Sequence, residues 1–361
     1  MNQLARRLAR GIGTDGPLSI AAFMTQALHD PDQGFYASRE SIGARGAFIT
    51  APEISQIFGE LLGLWCAQAW HDQGRPVPAR LVELGPGRGT LMHDALRALR
   101  RVPEFLSTVE VVLVESSPAL EALQRERLRD VEACLRWVRQ WNDIVHDRPP
   151  FVLANEFLDA MPIRQFAMTD RGWCERMVTT DAAGTLVFAL APVPARFAVP
   201  PTRGTAEFGA IYEVSPAAEA LAEDMGRIIA TRGGAAVFID YGHQGRGFGD
   251  TLQAVSGHAA ADVLAAPGEA DLSAHVDFAA LAWSVKKSGA RVHGPIAQGG
   301  FLRALGIDAR ATRLAAANPD RAAEIAASVH RLADAQRMGA LFKVLAVAPR
   351  AARALPGFER C

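Results

Sequence analysis

The chain has 361 residues, a net charge of −1, 49% hydrophobic residues and 21% charged ones. That balance supports a large buried core and excludes wholesale disorder. It offers no basic surface of the kind nucleic acid selects and no apolar run long enough to span a membrane. The four cysteines, Cys66, Cys134, Cys174 and Cys361, have neither metal nor redox spacing. They read as free thiols of a reducing compartment, and the nine histidines show no paired metal spacing, so no metal site is expected.

Met1–Arg10 is Arg-rich and free of acids. It reads either as the remnant of a transit peptide or as an ordinary first helix. The second reading is adopted, and with it a cytoplasmic protein, the mitochondrial matrix being the alternative. Leu18–Leu28 has a helical pattern and ends in the turn His29-Asp30-Pro31-Asp32-Gln33-Gly34. A glycine-punctuated loop follows from Ser41 to Gly46. Thr50 and Glu53 have the spacing of a capping box, with Pro52 in the first turn. Beyond them Ile54, Ile57, Phe58, Leu61, Leu62 and Trp65 share one helical face. Gln56 and Glu60, four apart, share the other side, which is either solvated or covers a ligand pocket.

From Leu81 an apolar run carrying one acid, Glu83, stops at Gly85-Pro86-Gly87-Arg88-Gly89. A helical pattern starts at once with Thr90, Leu91, Ala95, Leu96 and Leu99. Strand, glycine turn and helix open an α/β nucleotide-binding sheet. The glycines let backbone approach a ligand closely, and the helix start presents unpaired N–H groups. A dinucleotide fingerprint would read G-x-G-x-x-G. Here the motif is E-x-G-x-G-x-G, and the next apolar run, Val109–Val114, ends in Glu115, an acceptor for both hydroxyls of a ribose. That is the pattern of S-adenosylmethionine (SAM) methyltransferases, with NAD binding or an unliganded turn as the alternatives. A β-branched residue at Gly87 is expected to block such a ligand by bulk while leaving the sheet folded.

Ser117 and Pro118 start a helix over Leu120–Arg129, and Leu135–Val138 is a short strand. Trp141-Asn142-Asp143 follows where this architecture grips an adenine ring. Asp143 either accepts from the adenine amino group or caps a helix. Phe151–Ala154 is fully apolar, as in a central parallel strand, and leads into Asn155–Asp159. Ligands of such sheets lie outside the carboxyl ends of the strands, which puts this loop beside the reactive methyl group. Ile163–Leu190 alternates like a β meander, and Pro192–Gly209 is a proline-rich connector. Ser215-Pro216 starts a helix to about Thr231, and Ala235–Ile239 is a strand ending in Asp240-Tyr241-Gly242. Thr251–His275 is irregular and reads either as a lid or as a surface excursion. Asp277–Ser288 is helical, Ala290–Ile296 a strand, Gly299–Ala335 helical and Leu341–Val347 the last strand. Arg350–Cys361 reads as a loose tail.

Methyl transfer from a sulfonium is an in-line displacement that needs donor and acceptor held at near-attack distance. A guanidinium acceptor is protonated at neutral pH. It becomes reactive when carboxylates bind it and one of them takes the departing proton. Glu156 and Asp159, three apart, can form such a cradle; the alternative is capping and turn work.

Six blocks carry a resemblance: Gly46–Gly63 (GAFITAPEISQIFGELLG), Glu83–Met92 (ELGPGRGTLM), Asn155–Phe166 (NEFLDAMPIRQF), Phe238–His243 (FIDYGH), Pro267–Phe278 (PGEADLSAHVDF) and Met338–Val347 (MGALFKVLAV). Together they resemble the MidA-like family of SAM-dependent methyltransferases, which includes the mitochondrial complex I assembly factor that methylates an arginine. The resemblance runs in order from Leu18 to Val347. It implies a seven-stranded class I, Rossmann-like α/β core with an N-terminal helical lid, a β insertion after strand four and an irregular or helical insertion after strand five. The organisation expected is a helical segment over 1–75, a methyltransferase domain over 76–350 with insertions at 163–210 and 242–276, and a tail over 351–361. By resemblance Gly85, Gly87, Gly89 and Glu115 hold SAM, or its product S-adenosylhomocysteine. Asn155, Glu156 and Asp159 lie at the transfer site, and Thr50–Glu60 forms the lid. The full cofactor set expected adds Glu83, Thr90, Asp143, Asn155, Thr50 and Gln56. Where the family has GDFITSPE, this chain has Ala47 and Ala51, so no side-chain polar contact is expected there. The function implied is protein arginine methylation, on a respiratory complex I subunit or another protein. The rivals are a non-catalytic SAM-binding assembly factor, a small-molecule methyltransferase and, as an outsider, an NAD enzyme. No motif sets the oligomeric state.

Overall fold

The computed structural model describes residues 1–37, 50–197, 199–200, 203–245, 247–352 and 354–358. The expected loop Ser41–Gly46, Ala47 and Cys361 lie outside the described residues. The chain divides into two compact units. One comprises Ile49–Leu158, Leu221–Gly242 and Phe278–Cys361; the other comprises Met1–Phe48, Asp159–Ala220 and His243–Asp277.

The first unit is built on seven strands: β1 (Ala79–Leu84), β2 (Val109–Val114), β3 (Leu135–Val138), β4 (Pro150–Asn155), β5 (Ala235–His243), β6 (Arg291–Ala297) and β7 (Phe342–Ala348). Their order is 3-2-1-4-5-7-6. The first five run parallel, and β7 is antiparallel to both β5 and β6. β1 and β4 are buried along their whole length, which is why their sequences read as unbroken apolar runs. Leu84 pairs with Val114 on one side and Ala154 on the other. The carboxyl ends of β1, β2 and β4 are therefore level. The strand order reverses between β1 and β4, and a ligand crevice opens where it does.

Three helices of this unit frame that crevice: α1 (Gln56–Asp72), α2 (Thr90–Leu99) and α3 (Pro118–Arg127). The start of α3 is as expected, with Ser117 accepting from Leu120 N–H and Pro118 in the first turn. α1 lies directly against α2. A Cβ placed on Gly59 would sit 2.8 Å from the Leu91 carbonyl oxygen, and one on Gly63 would sit 2.8 Å from Ala95 Cα. These two glycines, four apart on one helical face, admit the neighbouring backbone where a side chain would hold it off.

Several expectations need correction here. The Thr50–Glu53 capping box does not form: the Thr50 side chain makes no cap bond. Glu53 Oε1 instead accepts from Thr90 Oγ1. The expected single helix is broken at Ser55, whose side chain caps α1 after the short helix Ala51–Ile54. The polar side of α1 is not solvated at Glu60. That carboxylate is buried, taking Arg97 at 2.9 Å and Arg310 at 2.7 and 3.1 Å. Nor are the described residues of the tail loose. Leu355 is buried, Trp65 Nε1 donates to the Pro356 carbonyl at 3.1 Å, and the Phe358 ring lies 5.3 Å from that of Phe301. Apolar side chains at 355 and 358 give the terminus its own anchor.

The second unit carries the N-terminal helices Gln3–Asp15 and Ile20–His29. It also carries an antiparallel sheet ordered Leu18–Ser19, Gly172–Thr180, Arg164–Thr169 and Ile211–Val214, with Leu186–Leu190 beside Gly172–Thr180. The meander after β4 is as expected. Leu18–Ser19 differs: it pairs with Val178 and Met177 as strand. The helix begins only at Ile20, where Ser19 Oγ accepts from Ala22 N–H at 3.1 Å. Thr251–His275 is not irregular throughout; Gln253–Ser256, Ala259–Ala261 and Asp271–Ser273 form a small antiparallel sheet. Strands of three and four residues are too short for alternation to show, and Pro267-Gly268 masks the return.

The glycine contact between α1 and α2 sets two effects against each other. Helix propensity alone makes Gly63→Ala stabilising by about 1 kcal/mol. The clash with Ala95 makes it destabilising by about 2 kcal/mol net, and urea unfolding is expected to show the second sign.

Candidate active site

The turn after β1 has φ of +60°, +55° and +77° at Gly85, Gly87 and Gly89, a left-handed run open to glycine and costly for other residues. It is fastened by Gly85 N–H to the Val114 carbonyl (3.1 Å) and Gly89 N–H to the Pro86 carbonyl (2.8 Å). A Cβ built on Gly87 would meet nothing within 4 Å. The expectation that valine there would act by bulk alone is corrected, because φ +55° strains a β-branched residue whatever the space.

Two buried carboxyl groups face this turn from the ends of β1 and β2. Glu83 takes a hydrogen bond from Met92 N–H, at the start of α2. Its Oε2 has no partner among the described residues. Burial pushes this group up to about 8, the charge of Glu115 adding to the shift and the Met92 bond opposing it. Glu115 Oε1 accepts from Ser117 N–H at 2.7 Å, and its Oε2 accepts from Gln124 Nε2 at 3.0 Å. Burial lifts Glu115 to about 7 against those bonds. Carboxylate oxygens accept more than one donor each, so Glu115 retains capacity for hydroxyl donors.

Gln124, missed in the sequence, ties these parts together. It is fully buried. Its amide nitrogen donates to the Gly87 carbonyl at 2.8 Å as well as to Glu115, and its oxygen accepts from Trp137 Nε1 at 2.9 Å. The signal lies in the stripe Leu120, Gln124, Leu128. A glutamine between two leucines at four-residue spacing faces the sheet, where an amide must have assigned partners.

At the tip of β4, Asn155 Nδ2 donates to Glu156 Oε1 at 3.1 Å, and Asn155 Oδ1 is buried without a partner among the described residues. Glu156 Oε1 also accepts from Ala51 N–H at 2.8 Å. Glu156 itself has φ +48°, a conformation costing an L-residue roughly 1–2 kcal/mol. Arg88 Nη1 lies 4.0 Å from Glu53 Oε2, and Thr90 joins Glu53 as described above. The structure thus brings Glu83, Gly85, Gly87, Gly89, Thr90, Glu115, Asn155 and Glu156 to one end of one sheet, with the segment after Thr50 bonded to Glu156. Gln56 turns to Glu60 at 3.1 Å. Asp143 is exposed in the turn Trp141–Asp143, where its carboxylate accepts from Gln140 N–H at 3.0 Å and Gln140 Nε2 at 3.3 Å. Asp159 opens the other compact unit, where its carbonyl accepts from Ala274 N–H at 2.9 Å.

Comparison with known proteins decides the family. Residues 61–296 match the S-adenosyl-L-methionine-dependent methyltransferase family. The chain belongs to it. Among curated proteins, this methyltransferase is 38% identical over 369 residues to protein arginine methyltransferase NDUFAF7, mitochondrial, of Danio rerio, covering 95% of this chain and 86% of the relative. The Homo sapiens protein of the same name is 36% identical, with 96% and 83% covered. Among solved structures, a COG1565 superfamily member from Burkholderia thailandensis bound to S-adenosyl-homocysteine superimposes with a TM-score of 0.88 at 32% identity, covering 99% of this chain and 94% of that one. The methyltransferase therefore has the class I fold, and SAM is its cofactor. Glu83 Oε2, without a partner among the described residues, the glycine turn and Glu115 fit a nucleoside that carries an amino acid through a sulfonium.

The cytoplasmic expectation is overturned by these relatives, which are named as mitochondrial. The Arg-rich start gave no guide to compartment. It is a packed helix, with Leu4, Leu8 and Ile12 buried and Arg7 paired with Asp30.

The raised acids fix a pH dependence in the absence of cofactor. Between about pH 4.5 and 8 the folded methyltransferase holds protons on Glu83 and Glu115 that the unfolded chain has released. Their contribution is fully present below pH 4.5 and is lost as pH rises through the folded values. Urea unfolding from pH 5 to 8 is expected to show falling stability, and Glu83→Gln is expected to flatten the slope.

Proposed function

We propose that this methyltransferase modifies arginine in a protein, with the Glu156 carboxylate as the base at the acceptor nitrogen. The observation that carries the reading is the Glu156 carboxylate at the tip of β4, one strand from the glycine turn and in the same unit. Arginine as acceptor is supported by the names of the curated relatives. A respiratory complex I subunit as the protein rests on the family resemblance.

When bound, SAM supplies a methyl group on a sulfonium, open to in-line displacement. The chain's residues do the rest. Glu115 accepts from the ribose hydroxyls. The backbone of Gly85–Gly89 and the Glu83 carboxyl group would help hold the cofactor. Thr50–Glu60 covers the site, held at Ala51 by Glu156 and at Glu53 by Thr90. Asn155 orients the Glu156 carboxylate. Glu156 binds the guanidinium, concentrates electron density on the attacking nitrogen and accepts its proton. Asp143 serves as a cap and its role at adenine is the weakest of the set.

The test pairs binding with turnover. Calorimetric titration with S-adenosylhomocysteine is expected to give micromolar affinity, on the order of −8 kcal/mol, lost in Glu115→Ala. Glu156→Gln is expected to keep that affinity while transfer of labelled methyl from SAM into proteins of a mitochondrial extract falls about a hundredfold or more. Full transfer by Glu156→Gln would sink the assignment. Failure of the native protein to bind would shift the reading to an assembly factor.

A further inference from the structure

We propose that Asp240, in the carboxyl-terminal half of β5, is a positioning residue that holds Glu156 in its left-handed backbone conformation. Asp240 is 1% exposed. Its Oδ2 accepts from the N–H groups of Phe157 at 3.2 Å and Leu158 at 2.9 Å, and its Oδ1 accepts from Tyr241 N–H at 2.9 Å. Both amides of the β4 loop that follow Glu156 thus point into one buried carboxylate. On the other side, Glu156 N–H donates to the Ile239 carbonyl at 2.9 Å, extending the register in which Ile239 faces Asn155. The loop is gripped before and after Glu156 by two consecutive residues of β5.

Glu156 has φ +48°, and neither its size nor its chemistry favours that region. Such a conformation persists only where surrounding bonds over-determine it. Charge-assisted bonds from backbone amides to a buried carboxylate are the strong kind, and losing one side of the cradle leaves amides facing an amide nitrogen. The left-handed residue directs its carboxylate to Ala51 N–H and Asn155 Nδ2. In an extended conformation the same side chain would leave both. Asp240 acts through the backbone that follows Glu156, at the amides of Phe157 and Leu158.

The consequence for methyl transfer rests on the role of Glu156 proposed above; the positioning itself does not. Amide hydrogen exchange of Phe157 and Leu158 in the full chain tests it. Asp240→Asn, which replaces one acceptor by a donor, is expected to speed exchange there about tenfold or more, leaving the amides of β1 unchanged. A second comparison does not depend on that variant folding. Glu156→Gly and Glu156→Ala both lack the carboxylate, but only glycine is at ease at φ +48°. The glycine variant is expected to exchange about fivefold more slowly at these amides. Unchanged exchange in Asp240→Asn would overturn the proposal. So would a glycine variant exchanging as fast as the alanine one, which is the result if the loop stores no strain. Retained methyl transfer in Glu156→Gln would remove the catalytic role of Glu156 while the exchange result stood.

Discussion

The closeness of α1 to α2 is the constraint from which the site follows. Two glycines bring α1 down onto the backbone of the helix that starts at the glycine turn, so the chain entering α1 must pass that turn. Thr50, Ala51 and Glu53 fall there as a result. Glu53 meets Thr90 at the first residue of α2, and Ala51 meets Glu156 at the tip of the neighbouring strand. Wider helix spacing would leave these pairs without reach of each other, and the strand ends would be open to water.

Charge inside this unit is organised by the same geometry. Glu83 in β1, Glu115 just after β2 and Asp240 in β5 are each buried, and each is met differently. Asp240 is met by backbone amides, Glu115 by the amides of Ser116 and Ser117 and a glutamine, and Glu83 by one amide, with an oxygen left over among the described residues. The gradient runs from an acid met on every side to one with an oxygen open among the described residues. A carboxylate buried with incomplete partners is costly, and the place where the chain tolerates this cost is the cofactor end of β1. Glu60 shows the opposite solution, two guanidinium groups on one carboxylate.

Much of this was legible in the sequence. The fully apolar runs announced the central strands, the glycine turn and Glu115 announced the cofactor, and the specific blocks around Asn155 and Pro267 announced the family. What escaped was whatever depended on a partner far along the chain. Glu60 reads as either a solvated face or a cover over the pocket, because its second guanidinium comes from Arg310, far along the chain. The capping box at Thr50 read correctly as spacing, yet Glu53 found Thr90 instead. Gln124 and Asp240 each sit as one polar residue in an apolar pattern. The pattern shows that such a residue is buried but not what it meets. The short strands of Gln253–Ser273 escaped for a different reason, having too few residues to express a period.

The bond between Glu60 and Arg310 spans 250 residues, and that between Trp65 and Pro356 spans 291. A chain leaving the ribosome has the glycine turn, β1, β2 and Arg97 early, but Arg310 and Pro356, which fasten α1, emerge 250 and 291 residues after their partners. Contacts so distant in sequence are the slow ones to form. The nascent chain can therefore assemble a recognisable nucleotide fold before the segment above it is secured. Competence for chemistry is deferred until those distant partners have emerged.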